Sequence, residues 1–403
     1  MDIQSKNHTF ARKNKNLHVL IRLRFIDISM PKLYIIINED RFFLSHRKDI
    51  ALTAQEKGWD VTIVCKDTGQ RKDIERIGLK MMELPINPTG TNILQEYKTF
   101  TFLLSLYRKN RDAIVHHVGL KLILWGGLAA KMAGVKGVVN AVSGLGVLFS
   151  NNTLSPIARG IFALLRYSHR RENVKVIFQN HDDELLFLKN KIIKEEQSVF
   201  IKGSGVNLNE FHYMPQPDDS VVKVLFTGRM VKEKGVLVLI EAAHLLQKEY
   251  EGRVEFLLCG GLHSNPKALK EEDLHKLCDG KYIQWLGFRN DVKDLLEKSH
   301  IMAFPSYYRE GVPKSLIEAC AVGRPIITTD SIGCKDTVID GVNGFLVPPK
   351  DSKSLAEKLK VLIEDKPLRQ QMGIKSRQKA EKEFSLTTVV ETHLKTYNEL
   401  AAN

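Results

Sequence analysis

The sequence has no Cys-x-x-Cys pair, no low-complexity tract, no internal repeat and no long apolar run. Its five cysteines, Cys65, Cys259, Cys278, Cys320 and Cys334, are scattered and odd in number. That argues against a disulfide framework or a zinc site and fits a reducing cytoplasm. The longest apolar stretch, 122–130 (LILWGGLAA), lies between Lys121 and Lys131. It falls well short of the roughly 20 residues a membrane span needs. Acidic side chains are in deficit, 47 Asp and Glu against 60 Lys and Arg, which leaves a formal charge of +13. Such an excess draws a protein to nucleic acid, anionic lipid or phosphorylated substrates. Zinc-finger spacing, RNP-like motifs and a long basic tail are missing too, so nucleic acid is not an expected partner. A membrane surface and phosphate-bearing ligands are.

A chain of 403 residues with 43% hydrophobic and 27% charged side chains is ordinary for two or three globular domains. Residues 1–29 make a poor signal peptide, because Arg22, Arg24 and Asp27 interrupt the apolar stretch and no small-residue cleavage site follows. Met30 and Pro31 directly precede the first convincing strand, so Met30 is the expected natural start and 1–29 a disordered or spurious extension. Apolar, β-branched runs then alternate with helical patterns. Strands are expected at 33–37, 61–64, 113–117, 138–142 and 174–178, and again at 222–226, 254–258, 283–286, 301–304 and 325–328. Helices are expected at 44–57, 237–248 and 292–298. Continuous apolar strands with crossover helices imply α/β architecture with parallel sheets covered on both faces. The segment 211–220 (FHYMPQPDDS), with two prolines and no periodicity, reads as a linker. The expectation is two doubly wound domains, 30–210 and 221–380, facing a cleft, with a last helix within 381–403 that folds back across both.

In such sheets ligands bind beyond the carboxyl ends of the strands. Gly228 and Arg229 follow one such strand, and Lys234 sits where a helix opens. Cations at a helix N-terminus oppose its dipole, so they make local sense when an anion binds there. In YYREGVPKSLIEACAVGRP, Pro313 suits the first helical position and Gly323 the C-terminal cap, which leaves Glu310 before the helix and Glu318 inside it. A helix start between two carboxylates suits a ligand that carries both phosphate and hydroxyls, as a nucleotide sugar does. Glu318 taken singly could equally be a carboxylate stabilised by the helix dipole. Gly260 and Gly287, followed by Phe288, end two further strands; each glycine alone is better read as a tight turn. In the first half, His46 and Arg47, His117 and Lys121, and Ser143 and Gly144 fall on one rim by the same carboxyl-end rule. The stretch 155–171 (SPIARGIFALLRYSHRR) reads either as a basic amphipathic helix on an anionic membrane or as a core helix with a solvated basic face.

GRMVKEKG at 228–235 and EGVPKSLIEA at 310–319, extended by GCKDTVIDGVNGFLVPPKD at 333–351, resemble the retaining family-4 glycosyltransferases of the GT-B fold. FFLSHR (42–47), VHHVGLKLILWGGLAAKMAGV (115–135), AVSGLG (141–146), FQNHDDELLF (178–187) and GSGVNLNEF (203–211) are similar to bacterial enzymes that extend polyprenyl-diphosphate-linked sugars. The resemblance implies that Arg229 and Lys234 hold the donor diphosphate and that Glu318 holds the ribose hydroxyls. It implies that Glu310 faces the donor sugar and that the backbone of Gly311, Val312, Pro313, Lys314 and Ser315 meets sugar and phosphate. Gly228, Gly260, Gly287 and Phe288 would complete the donor side. His46, Arg47, His117, Lys121, Ser143 and Gly144 would serve the acceptor. No metal and no cofactor is expected, because Arg and Lys neutralise the leaving diphosphate. Two departures stand out: many members carry a glycine pair where this chain has Asn38-Glu39-Asp40-Arg41, and His where Ser143 stands.

The expected activity is transfer of a hexose or N-acetylhexosamine from a UDP-sugar to a polyprenyl-diphosphate-linked saccharide, with retention. It is expected at the cytoplasmic face of the membrane, in synthesis of O-antigen, capsule or protein-linked glycan. A UDP-sugar 2-epimerase, a sugar phosphorylase or a non-catalytic nucleotide- or membrane-binding homologue would share the layout. A phosphorylase would need a pyridoxal-bearing lysine context, which this sequence does not show, and a non-catalytic homologue would be free to lose Arg229, Lys234, Glu310 and Glu318.

Overall fold

The computed structural model describes residues 30–88, 90, 92–145, 156–262 and 268–402. The expected N-terminal extension, Gly146 and Ser155 lie outside them.

Two all-parallel sheets organise the chain. The first is built from β1 (Lys32–Glu39), β2 (Asp60–Lys66), β3 (Lys80–Glu83), β4 (Ile114–Val118), β5 (Gly137–Val142), β6 (Val174–Phe178) and β7 (Ser198–Phe200), in the order β3-β2-β1-β4-β5-β6-β7. The second is built from β8 (Val222–Thr227), β9 (Val254–Cys259), β10 (Ile283–Gly287), β11 (Ile301–Phe304), β12 (Ile326–Thr329) and β13 (Gly344–Val347), in the order β10-β9-β8-β11-β12-β13. Strand order therefore reverses between β1 and β4 and between β8 and β11. Those two points are where doubly wound sheets open a crevice for ligands.

The strands form because both faces are covered. Along β1, Leu33, Ile35 and Ile37 enter one core and Ile36 the other, the period-2 alternation of a strand buried on both sides. The strands that sequence patterning did not anticipate are β3, β7 and β13. They have four, three and four residues, stand at sheet edges, and are partly exposed, so they carry no continuous apolar run.

The expected helix at 44–57 is two helices, Asp40–His46 and Lys48–Glu56, broken at Arg47, whose φ of −133° and ψ of −5° are not helical. The first starts early because Asp40, fully buried, ties the end of β1 to the loop after β2. Its carboxylate accepts from the Thr68 hydroxyl and from the backbone N–H groups of Thr68 and Gln70. Asn38-Glu39-Asp40-Arg41, where the resemblance led to expect a glycine pair, thus carries an acidic brace.

The irregular segment 211–220 lies on the second layer, held by the buried Arg324 guanidinium, which donates to the Met214 carbonyl at 3.0 Å. The chain passes between the two layers twice. The passages meet where Val206 N–H donates to Phe384 O at 2.9 Å and Leu386 N–H to Val206 O at 3.1 Å. Beyond that point the helix Leu386–Ala402 packs on the first sheet, with Val389, Tyr397 and Leu400 in the core that holds Leu33 and Val139.

Candidate functional site

The carboxyl end of β8 leads through Gly228 and Arg229 into a single 3-10 turn, Lys232–Lys234. Gly235 (φ +81°) then caps the helix Val236–Tyr250. A Cβ on Gly235 would overlap the Pro305 carbonyl, so this turn lies directly against the loop after β11. That contact delivers Lys234 to Glu310: its ammonium donates to Glu310 Oε2 at 2.5 Å. The pair is nearly enclosed, with side chains 13% and 12% exposed. The other carboxylate oxygen, Oε1, accepts from the Ser306 hydroxyl at 2.9 Å, and the Lys234 ammonium lies 5.2 Å from the Phe304 ring. Lys234 has three N–H donors and Glu310 takes one of them, so a ligand oxygen can be added without displacing Glu310.

The helix Lys314–Val322 begins just beyond. Pro313 is its N-cap rather than its first residue, with φ −61° and ψ 125°, and Gly323 in the left-handed conformation ends it. One turn in, Glu318 points back along the helix to Lys314, 3.6 Å away. Burial raises the Glu318 carboxyl above its ordinary value, and Lys314 acts against that rise. Lys314 also donates to the Ser45 carbonyl of the first layer at 2.5 Å. Ser315 is half-buried in the first helical turn, whereas Val312 is buried against Gly203.

The glycines at the strand ends serve the backbone. Gly228 N–H donates to Cys259 O at 2.9 Å and Gly260 N–H to Gly287 O at 2.8 Å. A Cβ on Gly260 would overlap the Gly228 carbonyl oxygen. Close approach of these neighbouring turns explains Gly228 and Gly260 without a ligand. Phe288 stands 74% exposed beside them, and Arg229 is exposed at the same rim.

On the first layer the expected rim cluster divides. His46 stays at the cleft. Its imidazole is pushed down to about 3, chiefly by burial and then by the positive charges of Lys314 and Arg47, so it is neutral there. Ser143 and Gly144 meet the Glu310 loop: the Ser143 carbonyl accepts from Gly311 N–H at 3.2 Å. Arg47 and His117 do not reach the cleft. Arg47 is buried, spends an N–H on the His46 carbonyl, and its charge acts on His116, His393 and Tyr397 beneath the C-terminal helix. His117 is fully buried between the Tyr107 hydroxyl and Asn140 Oδ1, both at 2.8 Å, and burial pushes it down to about 4. Lys121 is turned to the outside of its helix, bound to Glu96 Oε1 at 2.7 Å and to the carbonyls of Asn87 and Gly90. The carboxyl-end rule places a residue near the rim but not its side chain, and an apolar strand flank such as Val115–Val118 turns a histidine inward.

Sequence reasoning passed over Asn180 and Asp183, which the structure brings to Arg309. Arg309 donates Nε at 2.9 Å and Nη2 at 2.6 Å to the same Asp183 oxygen. Asn180 and Asp183 both lie in the FQNHDDELLF stretch that carries the resemblance, but the Asn-His-Asp-Asp string at a helix start fits an ordinary N-cap equally well, so neither was given a role.

Two doubly wound sheets, with a cationic turn, a carboxylate and a helix N-terminus gathered where they meet, make up the GT-B fold. Comparison with known proteins agrees. Residues 32–180 match the family "Glycosyl transferase 4-like" and residues 212–379 match "Glycosyl transferases group 1". The chain belongs to the group 1 glycosyltransferases, with a family-4-like first domain. It is 26% identical over 385 residues to the N,N'-diacetylbacillosaminyl-diphospho-undecaprenol alpha-1,3-N-acetylgalactosaminyltransferase of Campylobacter jejuni, covering 90% of this chain and 99% of that one. It is 24% identical to the UDP-Gal:alpha-D-GlcNAc-diphosphoundecaprenol alpha-1,3-galactosyltransferase of Escherichia coli, over 77% of this chain and 81% of that one. Among solved structures, Anabaena HepE in complex with UDP superposes with a TM-score of 0.73 at 19% identity, covering 92% of this chain and all of the other. A glycosyltransferase from Rickettsia africae superposes with a TM-score of 0.74 at 20% identity, covering 93% and 100%.

Proposed function

We propose that the protein transfers a hexose or N-acetylhexosamine from a UDP-sugar to a saccharide carried on a polyprenyl diphosphate, with retention at the anomeric carbon. The observation that carries this reading is the enclosed Lys234–Glu310 pair at the mouth of a helix N-terminus, with Glu318 one turn further in. The named acceptors of the Campylobacter and Escherichia relatives, both diphosphoundecaprenol-linked sugars, support the acceptor class. The UDP complex of Anabaena HepE supports the donor class.

In this reading the bond between the anomeric carbon and the diphosphate oxygen breaks, and the acceptor hydroxyl adds on the same face. Its proton passes to an oxygen of the departing diphosphate. Negative charge grows on that diphosphate, and Lys234 and Arg229 stabilise it from fixed positions in a half-dry cleft. Positive charge grows on the sugar ring, where the Glu310 carboxylate is the complementary group. Glu318 accepts the ribose hydroxyls, and the first N–H groups of the helix Lys314–Val322 meet phosphate. No step needs a metal or a cofactor. His46, Ser143 and Gly144 line the acceptor side.

The acceptor's lipid is served by a separate apolar cavity of about 480 Å³ on the first layer, walled by Ile93, Tyr97, Phe100, Leu124, Trp125 and Ile161. Ile93, Tyr97 and Ile157 are 82%, 64% and 69% exposed, and basic Arg159, on the same helix as Ile157, is exposed as well. Apolar side chains standing in water beside cations suit an anionic membrane surface. No helix among the described residues is long and apolar enough to cross a membrane. Peripheral attachment at the cytoplasmic face completes the proposal.

The test is a panel of UDP-sugars offered with diphosphate-lipid-linked acceptors, read by mass spectrometry. A product heavier than the acceptor by one sugar, with a retained anomeric configuration by NMR, is expected. Conversion of UDP-sugar to an epimer without acceptor would overturn the reading in favour of an epimerase.

A further inference from the structure

Glu310 is placed by both layers. On its own side Lys234 and Ser306 hold the carboxylate. Its backbone, however, is held by the first layer. Arg309, the residue before it, enters a pocket that contains Asp183, and the two side chains are 12% and 0% exposed. Asp183 is itself fixed. Its second oxygen accepts from Asn180 Nδ2 at 3.0 Å, and its N–H donates to Asn180 Oδ1 at 2.8 Å. The same Asn180 amide reaches the Glu310 carbonyl at 3.4 Å. One residue on, Gly311 N–H donates to the Ser143 carbonyl at 3.2 Å. The fit is tight: a Cβ on Gly311 would overlap Gln179 Oε1, and one on Gly144 would lie 2.6 Å from Gly311 N. Three consecutive residues of one loop, Arg309, Glu310 and Gly311, are thus held by residues of another domain.

A carboxylate with no exposed surface is costly unless a cation accompanies it. Burial raises the Asp183 carboxyl, and Arg309 is the main influence against that rise. Both groups regain water if the layers part, so the pair keeps its geometry only while they are together. Resting on the transferase reading, we infer that Arg309, Asp183 and Asn180 form a latch between the two domains. The latch sets the backbone at Glu310, so that its carboxylate meets Lys234 and the donor sugar only when the cleft is shut. These three are positioning residues, acting through Glu310. Such a device withholds the complete catalytic group until water is excluded, which suits an enzyme whose donor is open to hydrolysis. Lys335–Asp182 at 3.1 Å and Lys314–Ser45 at 2.5 Å lie on the same seam, but neither touches the Glu310 backbone.

The test uses Arg309→Gln, Asp183→Asn, their combination, Arg309→Lys and Asn180→Ser in the full-length protein. Asn180→Ser keeps a helix-capping oxygen but loses reach to Glu310. Each single neutralisation should lower kcat by ~10- to 100-fold, the scale of a misplaced reacting group. UDP affinity and donor KM should stay within about twofold, because the second domain binds the nucleotide. The double variant should fall no further than the worse single, as expected of groups that act as a unit. Arg309→Lys should recover part of the loss. In hydrogen exchange the Gly311 amide should exchange faster in Arg309→Gln, while the helix Lys314–Val322 stays protected. The inference is overturned by unchanged Gly311 exchange, by single losses that multiply in the double variant, or by UDP affinity falling in step with kcat. If the parent enzyme transfers no sugar at all, the transferase reading fails and the exchange measurement alone decides the latch.

Discussion

Lys234 separates electrostatic catalysis from structural support. Lys234→Ala removes the enclosed cation proposed to face the leaving diphosphate. Loss of one preorganised charge-stabilising donor costs roughly a hundred- to a thousandfold in turnover, about 3–4 kcal/mol of barrier. It also leaves Glu310, 12% exposed, with the Ser306 hydroxyl but without its cation. Orphaning one member of a fully buried pair costs about 3–5 kcal/mol. With both side chains still touching solvent at the cleft, about 1–3 kcal/mol is the appropriate range. In a domain of this size that lowers Tm by roughly 2–10 °C. The double variant Lys234→Ala with Glu310→Gln removes the orphaned charge, so Tm should return towards the parent value while turnover does not. Steady-state UDP release and a thermal scan measure the two effects independently. Turnover of Lys234→Ala within about threefold of the parent would refute the catalytic role. An unchanged Tm in the single variant would refute the claim that Glu310 depends on it.

Other outcomes follow from the same geometry. Glu318→Ala should raise the donor KM by roughly ten- to a hundredfold, the loss of hydrogen bonds to a charged acceptor, with a smaller effect on kcat; an unchanged KM would count against a ribose role. Gly126→Ala would push a Cβ into the His117 ring, buried between Tyr107 and Asn140, and should destabilise by about 1–3 kcal/mol in urea unfolding, without acting on UDP binding. His46, His117, His169, His300 and His393 are all pushed down, to about 3 or 4, with burial the largest cause in each. The unfolded chain therefore binds more protons than the folded one between those values and 6.5. Stability is fully present above pH 6.5 and is lost as pH falls below it, at up to about 1.4 kcal/mol per pH unit for each histidine. Urea midpoints at pH 7, 6 and 5 should fall progressively, and a flat series would contradict the buried neutral imidazoles.

The sequence by itself determined the class of fold and the turns that carry Lys234, Glu310 and Glu318. Continuous apolar strands such as Val222–Thr227 can be satisfied only by layers on both faces, and that requirement is written locally in residue types. Glu310, Glu318 and Lys234 were legible because Gly235, Pro313 and Gly323 mark the turns that carry them, and turn chemistry is local. The short edge strands Lys80–Glu83, Ser198–Phe200 and Gly344–Val347 were not legible, since pairing with a neighbour, not their own pattern, makes them strands. What only the tertiary structure decided was direction and partnership. His117 and Arg47 are near the rim in sequence, yet burial turns both into the core and away from the cleft. Asp183 and Arg309 stand 126 positions apart and meet because the two sheets face each other. A contact between distant segments depends on how whole domains pack, so no local pattern announces it.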